Sequence, residues 1–161
     1  MDRFDRRIIA ALQQDSAQPI AALADTIGLS TSACHRRVRA LEEAGVIVGY
    51  AAQIDRRALG LSLLVFVEIS LSSQALEVLE AFESAVQGFD DILECHLTSG
   101  DADYILRVVA RDMEDYAHIH RNCLARLPHV SSMQTIFTLR PVKAWRGYPI
   151  RAGVSGPAGP R

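Results

Sequence analysis

The sequence predicts an α+β protein in two parts, three short helices followed by a β-α-β-β-α-β succession. Three observations carry this reading. Apolar residues recur at helical spacing in three stretches before residue 45, separated by proline and glycine. From about residue 46 the apolar period changes to that of strands, interrupted twice by helical spacing. The composition, 49% AVILMFWYC residues and 22% charged with mean hydropathy +0.10, can bury a core and excludes a disordered chain. At 161 residues there is room for one medium domain or two small ones, not for a large catalytic barrel.

In residues 2–14, Phe4, Ile8, Ile9 and Leu12 share a helical face, with Asp2 and Asp5 in the first turn where the helix dipole favours them. A second helix follows Pro19, with Ala21, Leu23, Ala24 and Ile27, and closes at Gly28. A third starts from the N-cap Ser30 and buries Cys34, Val38 and Leu41 before Gly45. Short helices joined by a glycine-containing turn make a helix-turn-helix pattern, assigned to residues 1–48.

Residues 46–54 are β-rich and 55–60 a charged bend, so 49–61 read as a hinge strand and linker. Residues 62–71 form a strand with Leu63, Val65, Val67, Ile69 and Leu71 on one face. Residues 74–87 form a helix with Leu76, Leu79, Phe82 and Val86 inward. Strands at 92–99 and 103–110 meet across Gly100. The helix at 112–127 turns Met113, Tyr116, Ala117, His120, Leu124 and Leu127 inward, and 130–142 is the last strand. This order makes residues 62–143 a ferredoxin-like βαββαβ domain, a four-stranded antiparallel sheet with both helices on one face. The other face shows Leu64, Phe66 and Phe137 or Ile136, an apolar patch that a partner subunit would cover.

The net charge of −2 is uneven along the chain. Residues 1–60 hold eight Arg against seven acids, 61–143 hold six cations against twelve acids, and 144–161 hold three Arg and no acid. Residues 144–161, rich in Gly and Pro, read as a flexible tail. No apolar run is long enough to span a membrane, and the charged start does not resemble a secretory signal. Three dispersed cysteines, Cys34, Cys95 and Cys123, argue against a disulfide framework or zinc finger and for a reducing cytoplasm.

Opposite its apolar stripe, the third helix presents Ser32, His35, Arg36, Arg39 and Glu43. Arginine can bind guanine edges bidentately, and Ser30, Thr31 and Ser32 sit at a helix N-terminus suited to phosphate. Arg37 lies nearer the packed edge, to contact phosphate or to pair with an acid of the first helix. The expected partner is double-stranded DNA, with two helices of a dimer in successive major grooves.

The segment LSTSACHRRVRALEEAGVIVGY resembles the DNA-binding motif of the Lrp/AsnC, or feast/famine, regulators, closest to the leucine-responsive branch. LLVFVEISL and ILECHLTSGDADYILRV are similar to the first and two central strands of that family's effector domain. The resemblance, over about residues 2–143, implies amino-acid effectors, a hinge strand, and homodimers assembling into tetramers or octamers.

The connection Thr98, Ser99, Gly100, Asp101, Ala102, Asp103, Tyr104 gathers two carboxylates, hydroxyls and glycine backbone, a set able to hold a zwitterion or to serve only as an acidic hairpin turn. The resemblance assigns the effector pocket to this turn and to Thr135, Ile136 and Thr138 of the last strand. Other chemistry is sparse. Glu94 and His96 can converge but Cys95 points the other way, so no metal site is expected. His120 reads as a core histidine, and Cys34 and Cys123 as small buried hydrophobes. No nucleophile, base and orienter assemble, so neither an enzyme nor a cofactor is expected. The expected function is effector-responsive transcription regulation; the alternative is an architectural DNA-wrapping protein with little effector control, whose binding would be steeply salt-dependent.

Overall fold

The computed structural model describes residues 1–151. It divides into two compact units, Met1–Gln53 together with the chain from Lys143, and Ile54–Val142.

The first unit is built on α1 (Arg3–Gln14), α2 (Ile20–Ile27) and α3 (Thr31–Glu43). Asp2 caps α1 through a reciprocal box: its carboxylate accepts from the amides of Phe4 and Asp5, and its own amide donates to Asp5. Gly28 ends α2 at φ +78°, and its amide and that of Leu29 both donate to the Ala24 carbonyl. Each helix turns one stripe inward, and Ile8, Leu23, Ala24, Ile27, Cys34, Val38 and Leu41 form one buried cluster. At about 1.5–3 kcal/mol for each large side chain fully buried, this cluster is what holds three short helices together.

The second unit contains β1 (Leu63–Leu71), α4 (Leu76–Val86), β2 (Ile92–Leu97), β3 (Tyr104–Ala110), α5 (Met113–Asn122) and β4 (Val130–Phe137), with a single 3₁₀ turn at Leu124–Arg126. The sheet order is β2-β3-β1-β4, antiparallel throughout, as the βαββαβ succession predicts. Val65, Val67, Ile69 and Leu71 alternate into the core against Tyr104, Leu106 and Val108 of β3 and against Phe82 and Val86 of α4. The Phe82 and Tyr104 rings lie 4.6 Å apart. No helix among the described residues is long and apolar enough to cross a membrane.

Several expectations are corrected. In the single chain the β-rich stretch 46–54 and the expected hinge at 49–61 carry no strand: a strand needs a ladder partner, none of these residues joins the chain's own sheet, and Val48 stands 95% exposed. Leu76 opens α4 in solvent rather than in the core. On α5 the buried residues are Tyr116 and Ile119, followed by Cys123 at its C-cap, so Met113 and Ala117 face outward. That helix stops at Asn122, five residues early, because the backbone departs from helical angles at Cys123 and tightens into the 3₁₀ turn. β4 ends at Phe137 rather than 142: its register with β1 closes at the Val65–Phe137 pair and the Thr138 amide's bond to Leu64, β1 begins at Leu63, and Pro141 has no amide to donate.

The tail expectation also changes. Residues 145–148 return to α1, where the Gln13 side-chain amide donates to the Tyr148 carbonyl (3.0 Å) and accepts from the Tyr148 amide (2.6 Å). Residues 152–161 of that expected tail lie outside the described residues.

Candidate nucleic-acid interface and ligand site

In the helical unit, α3 is fixed from behind by Cys34, Val38 and Leu41 and leaves Thr31, Ser32, His35, Arg36 and Arg39 exposed. The Ser30 hydroxyl accepts from the Ala33 amide at 3.2 Å and lies 3.3 Å from the Ser32 hydroxyl, so the N-terminus of α3 carries two clustered hydroxyls beside unpaired helix donors.

Arg37 is not part of this face, which corrects its place among the expected DNA contacts. Its guanidinium donates to Asp2 and Asp5, both at 2.8 Å, and lies over the Phe4 ring at 5.5 Å from the centroid. Hydrogen bonds to Asp5 and then Asp2 raise the Arg37 pKa, and the Asp5 amide, the Phe4 amide and Arg37 hold the Asp2 carboxyl below its ordinary range. Of the two roles open to Arg37, the pair with α1 acids is the one realised; it sets the orientation of α3 on α1. Arg7, which sequence reasoning missed, does the equivalent at α2: it donates to the carbonyls of Ile27 (2.7 Å) and Thr26 (2.8 Å), a cation on the negative end of a helix. The only sequence signal was an arginine on α1 and a glycine stop on α2, with nothing to join them.

In the sheet unit, the turn between β2 and β3 is closed by the Thr98 amide donating to the Asp103 carbonyl at 2.8 Å and by the Thr98 hydroxyl donating to the Ala102 carbonyl. Ser99, Gly100 and Asp101 are exposed at its tip. Asp103 is already engaged, accepting from the Leu71 amide at 2.7 Å and the Gln74 side chain at 2.9 Å, so it ties the turn to the end of β1. Tyr104 is a correction: it is 1% exposed, its hydroxyl donates to Glu83 at 2.7 Å, and burial pushes its pKa up, so it belongs to the core and not to a pocket at the turn.

The last-strand residues divide between faces. Thr135 faces the helices, its hydroxyl 2.7 Å from that of Tyr116, while Ile136 pairs with Phe66 on the open face of the sheet and cannot line the same side as Thr135. Thr138 donates to the Leu64 carbonyl from its amide (3.1 Å) and hydroxyl (2.7 Å). Tyr104 aligns with Ile69 and Ile69 with Met133, so Thr135 and Thr138 lie two and five residues further along β4. With about 3.4 Å per residue and two strand spacings of about 4.8 Å between β3 and β4, one chain does not bring the turn and Thr138 into a single pocket.

A groove of about 370 Å³ opens between α5 and β4, lined by Met113, Tyr116, Ala117, His120, Arg121 and Phe137. His120 thus borders a groove, edge-on to Tyr116 with ring centroids 6.3 Å apart, instead of filling the core. Phe137 packs edge-on to Tyr116 at 5.1 Å, which leaves Leu64, Phe66, Ile105, Val109 and Ile136 as apolar residues of the open sheet face. On that face Glu94 accepts from Arg107 and lies 3.4 Å from His96, while Cys95 points into the core, where burial pushes its thiol up to about 11. No cluster of three metal-ligating side chains occurs among the described residues.

A helix-turn-helix head with an exposed arginine face, carried in one chain with an antiparallel βαββαβ unit, defines the class of ligand-responsive DNA-binding regulators. The AsnC-type helix-turn-helix domain model matches residues 1–42 and the Lrp/AsnC ligand binding domain model matches residues 64–147. The chain belongs to the Lrp/AsnC family of transcriptional regulators. It is 44% identical to the leucine-responsive regulatory protein of Klebsiella pneumoniae and 43% identical to that of Escherichia coli strain K12, each over 143 residues, 89% of this chain and 87% of the relative. Among solved structures it resembles an AsnC family transcriptional regulator from Agrobacterium tumefaciens (36% identity, TM-score 0.88, covering 92% of this chain and 97% of that one). It also resembles a transcriptional regulator from Neisseria meningitidis solved with L-methionine (29% identity, TM-score 0.88, covering 92% and 96%).

Proposed function

We propose that this protein is a sequence-specific transcriptional regulator of amino-acid metabolism or transport, reading duplex DNA with α3 and responding to an amino acid held by its βαββαβ domain. The observation that carries the DNA half is the outward set Thr31, Ser32, His35, Arg36 and Arg39, presented while Arg37 is spent on holding the helix. Arg36 and Arg39 contact base edges or phosphates, and Ser30, Thr31 and Ser32 offer hydroxyls and helix amides to phosphate.

The effector half is supported by the leucine-responsive relatives and by the methionine-bound neighbour. The amino acid sits against the exposed tip Ser99, Gly100 and Asp101, with Thr98, Ala102 and Asp103 shaping the turn. Because Thr138 lies far from the turn along the last strand, it completes a pocket only when contributed by another copy, and Thr135, turned toward Tyr116, reaches the effector from the helix side. Homodimers form through the apolar sheet face and assemble further into tetramers or octamers. An effector that binds one assembly better than another then shifts the oligomer and the spacing of its DNA-binding heads. The protein works without a catalytic step or a cofactor, in the cytoplasm with its DNA.

A thermal-shift screen of the twenty amino acids tests the effector half, because a ligand at about one hundred times its Kd adds about 2.7 kcal/mol to the stability of the state it binds. At least one amino acid should raise the melting temperature and change the retardation of the upstream region of the protein's own gene. No shift with any amino acid would reject the sensor, and no retardation would reject the regulator.

A further inference from the structure

Residues 1–53 hold six Arg (3, 6, 7, 36, 37 and 39) and six acids (Asp2, Asp5, Asp15, Asp25, Glu42 and Glu43), so the three-helix head is neutral by itself. Two of those arginines, Arg7 and Arg37, are occupied by helix carbonyls and by Asp2 and Asp5. A neutral surface is poorly suited to a duplex whose backbone dominates affinity. The deficit is greatest at α2, the helix that crosses the DNA backbone in a helix-turn-helix, since Ile20–Ile27 contains no Lys or Arg and one acid, Asp25.

The chain from Lys143 groups with this head and carries Lys143, Arg146 and Arg151, all exposed, with no acid. Its attachment is specific. The Gln13 side-chain amide makes both hydrogen bonds to the Tyr148 backbone, the arrangement one strand residue would make with another. Gly147 lies at φ +95°, and a Cβ there would collide with the Gln13 amide, so glycine serves the dock twice, by its angle and by its lack of a side chain. Trp145 and Tyr148, 65% and 73% exposed, meet edge-on at 4.7 Å, and Arg146 between them in sequence is exposed as well. Gln13 is the residue before the last of α1, at the approach to α2.

We propose that residues 143–151, docked on α1 through Gln13 and Gly147, form a second phosphate-contacting element of the DNA-binding head, with Lys143, Arg146 and Arg151 as its cations. This rests on the reading that α3 binds DNA. The segment reads no sequence; it supplies the backbone charge that α2 lacks and makes a neutral head positive by three.

The test is fluorescence anisotropy of the full chain on a long random-sequence duplex, across a salt series. Replacing Lys143, Arg146 and Arg151 together with Ala should make the slope of log affinity against log salt shallower by about one per lost contact per head, weakening all sequences alike. Gln13→Ala and Gly147→Val keep every charge but release the dock, and each should lose part of the same slope with no change in melting temperature beyond a few degrees. An unchanged slope in the triple variant overturns the proposal. So does a shallower slope in the triple variant with full slope in both undocked variants, since the cations would then act as a free arm. If the unaltered chain binds no duplex at all, the failure is that of the regulator reading itself.

Discussion

Two adjacent arginines on α3 have opposite fates, and the difference lies in about 100° of helix rotation. Arg36 points outward and Arg37 points back to Asp2, Asp5 and Phe4 of α1. Arg36→Ala should therefore cost about 1–3 kcal/mol of specific binding and leave thermal stability unchanged. Arg37→Ala should lower the melting temperature, because two carboxylates of the α1 cap lose their shared cation, and it should change binding only through the tilt of α3. Parallel melting curves and band-shift titrations of the two variants check this; equal melting temperatures would remove the anchoring role. The exposed face of α3 was legible from helical spacing alone. The choice between Arg37's two roles was not, because its partners lie 35 and 32 positions away in the chain.

Among the elements, the helices and strands with a clear apolar period formed as the period requires, and their ends were decided by what lay next to them. The stop of α2 at Gly28 was readable because a left-handed angle favours one residue type. Nothing lies within 4 Å of a Cβ built at Gly28, so Gly28→Ala isolates the backbone term and should destabilise the head by about 1–2 kcal/mol in chemical denaturation. A cost near zero would mean the turn relaxes without loss. The early end of α5, the short β4 and the missing strand at 46–54 share another cause. Each depended on a neighbour, either a ladder partner or a change of chain direction, that no local pattern encodes. The outward turn of Met113 and Ala117 has the same origin: α5 packs through Tyr116 and Ile119, and its flank with Phe137 is left as a groove.

For the whole molecule, the sheet has one face covered by helices and one that shows Leu64, Phe66, Ile105 and Ile136 around the Arg107–Glu94 pair. Phe66→Glu places a charge in that patch without touching the core. Sedimentation should show a smaller assembly than the unaltered chain forms, with little change in the circular dichroism spectrum; an unchanged assembly would move the interface elsewhere. The order of elements, the two-part organisation, the arginine face of α3 and the family were all legible in the residues alone, because these follow from local periodicity and from short motifs. That Tyr104 is core, that Asp103 is bound to β1, that the turn and Thr138 do not meet in one chain, and that Tyr148 docks on Gln13 emerged with the folded chain. Those outcomes depend on which groups satisfy one another's hydrogen bonds and which surfaces exclude water across long stretches of chain, and such pairings are properties of the folded arrangement rather than of any segment.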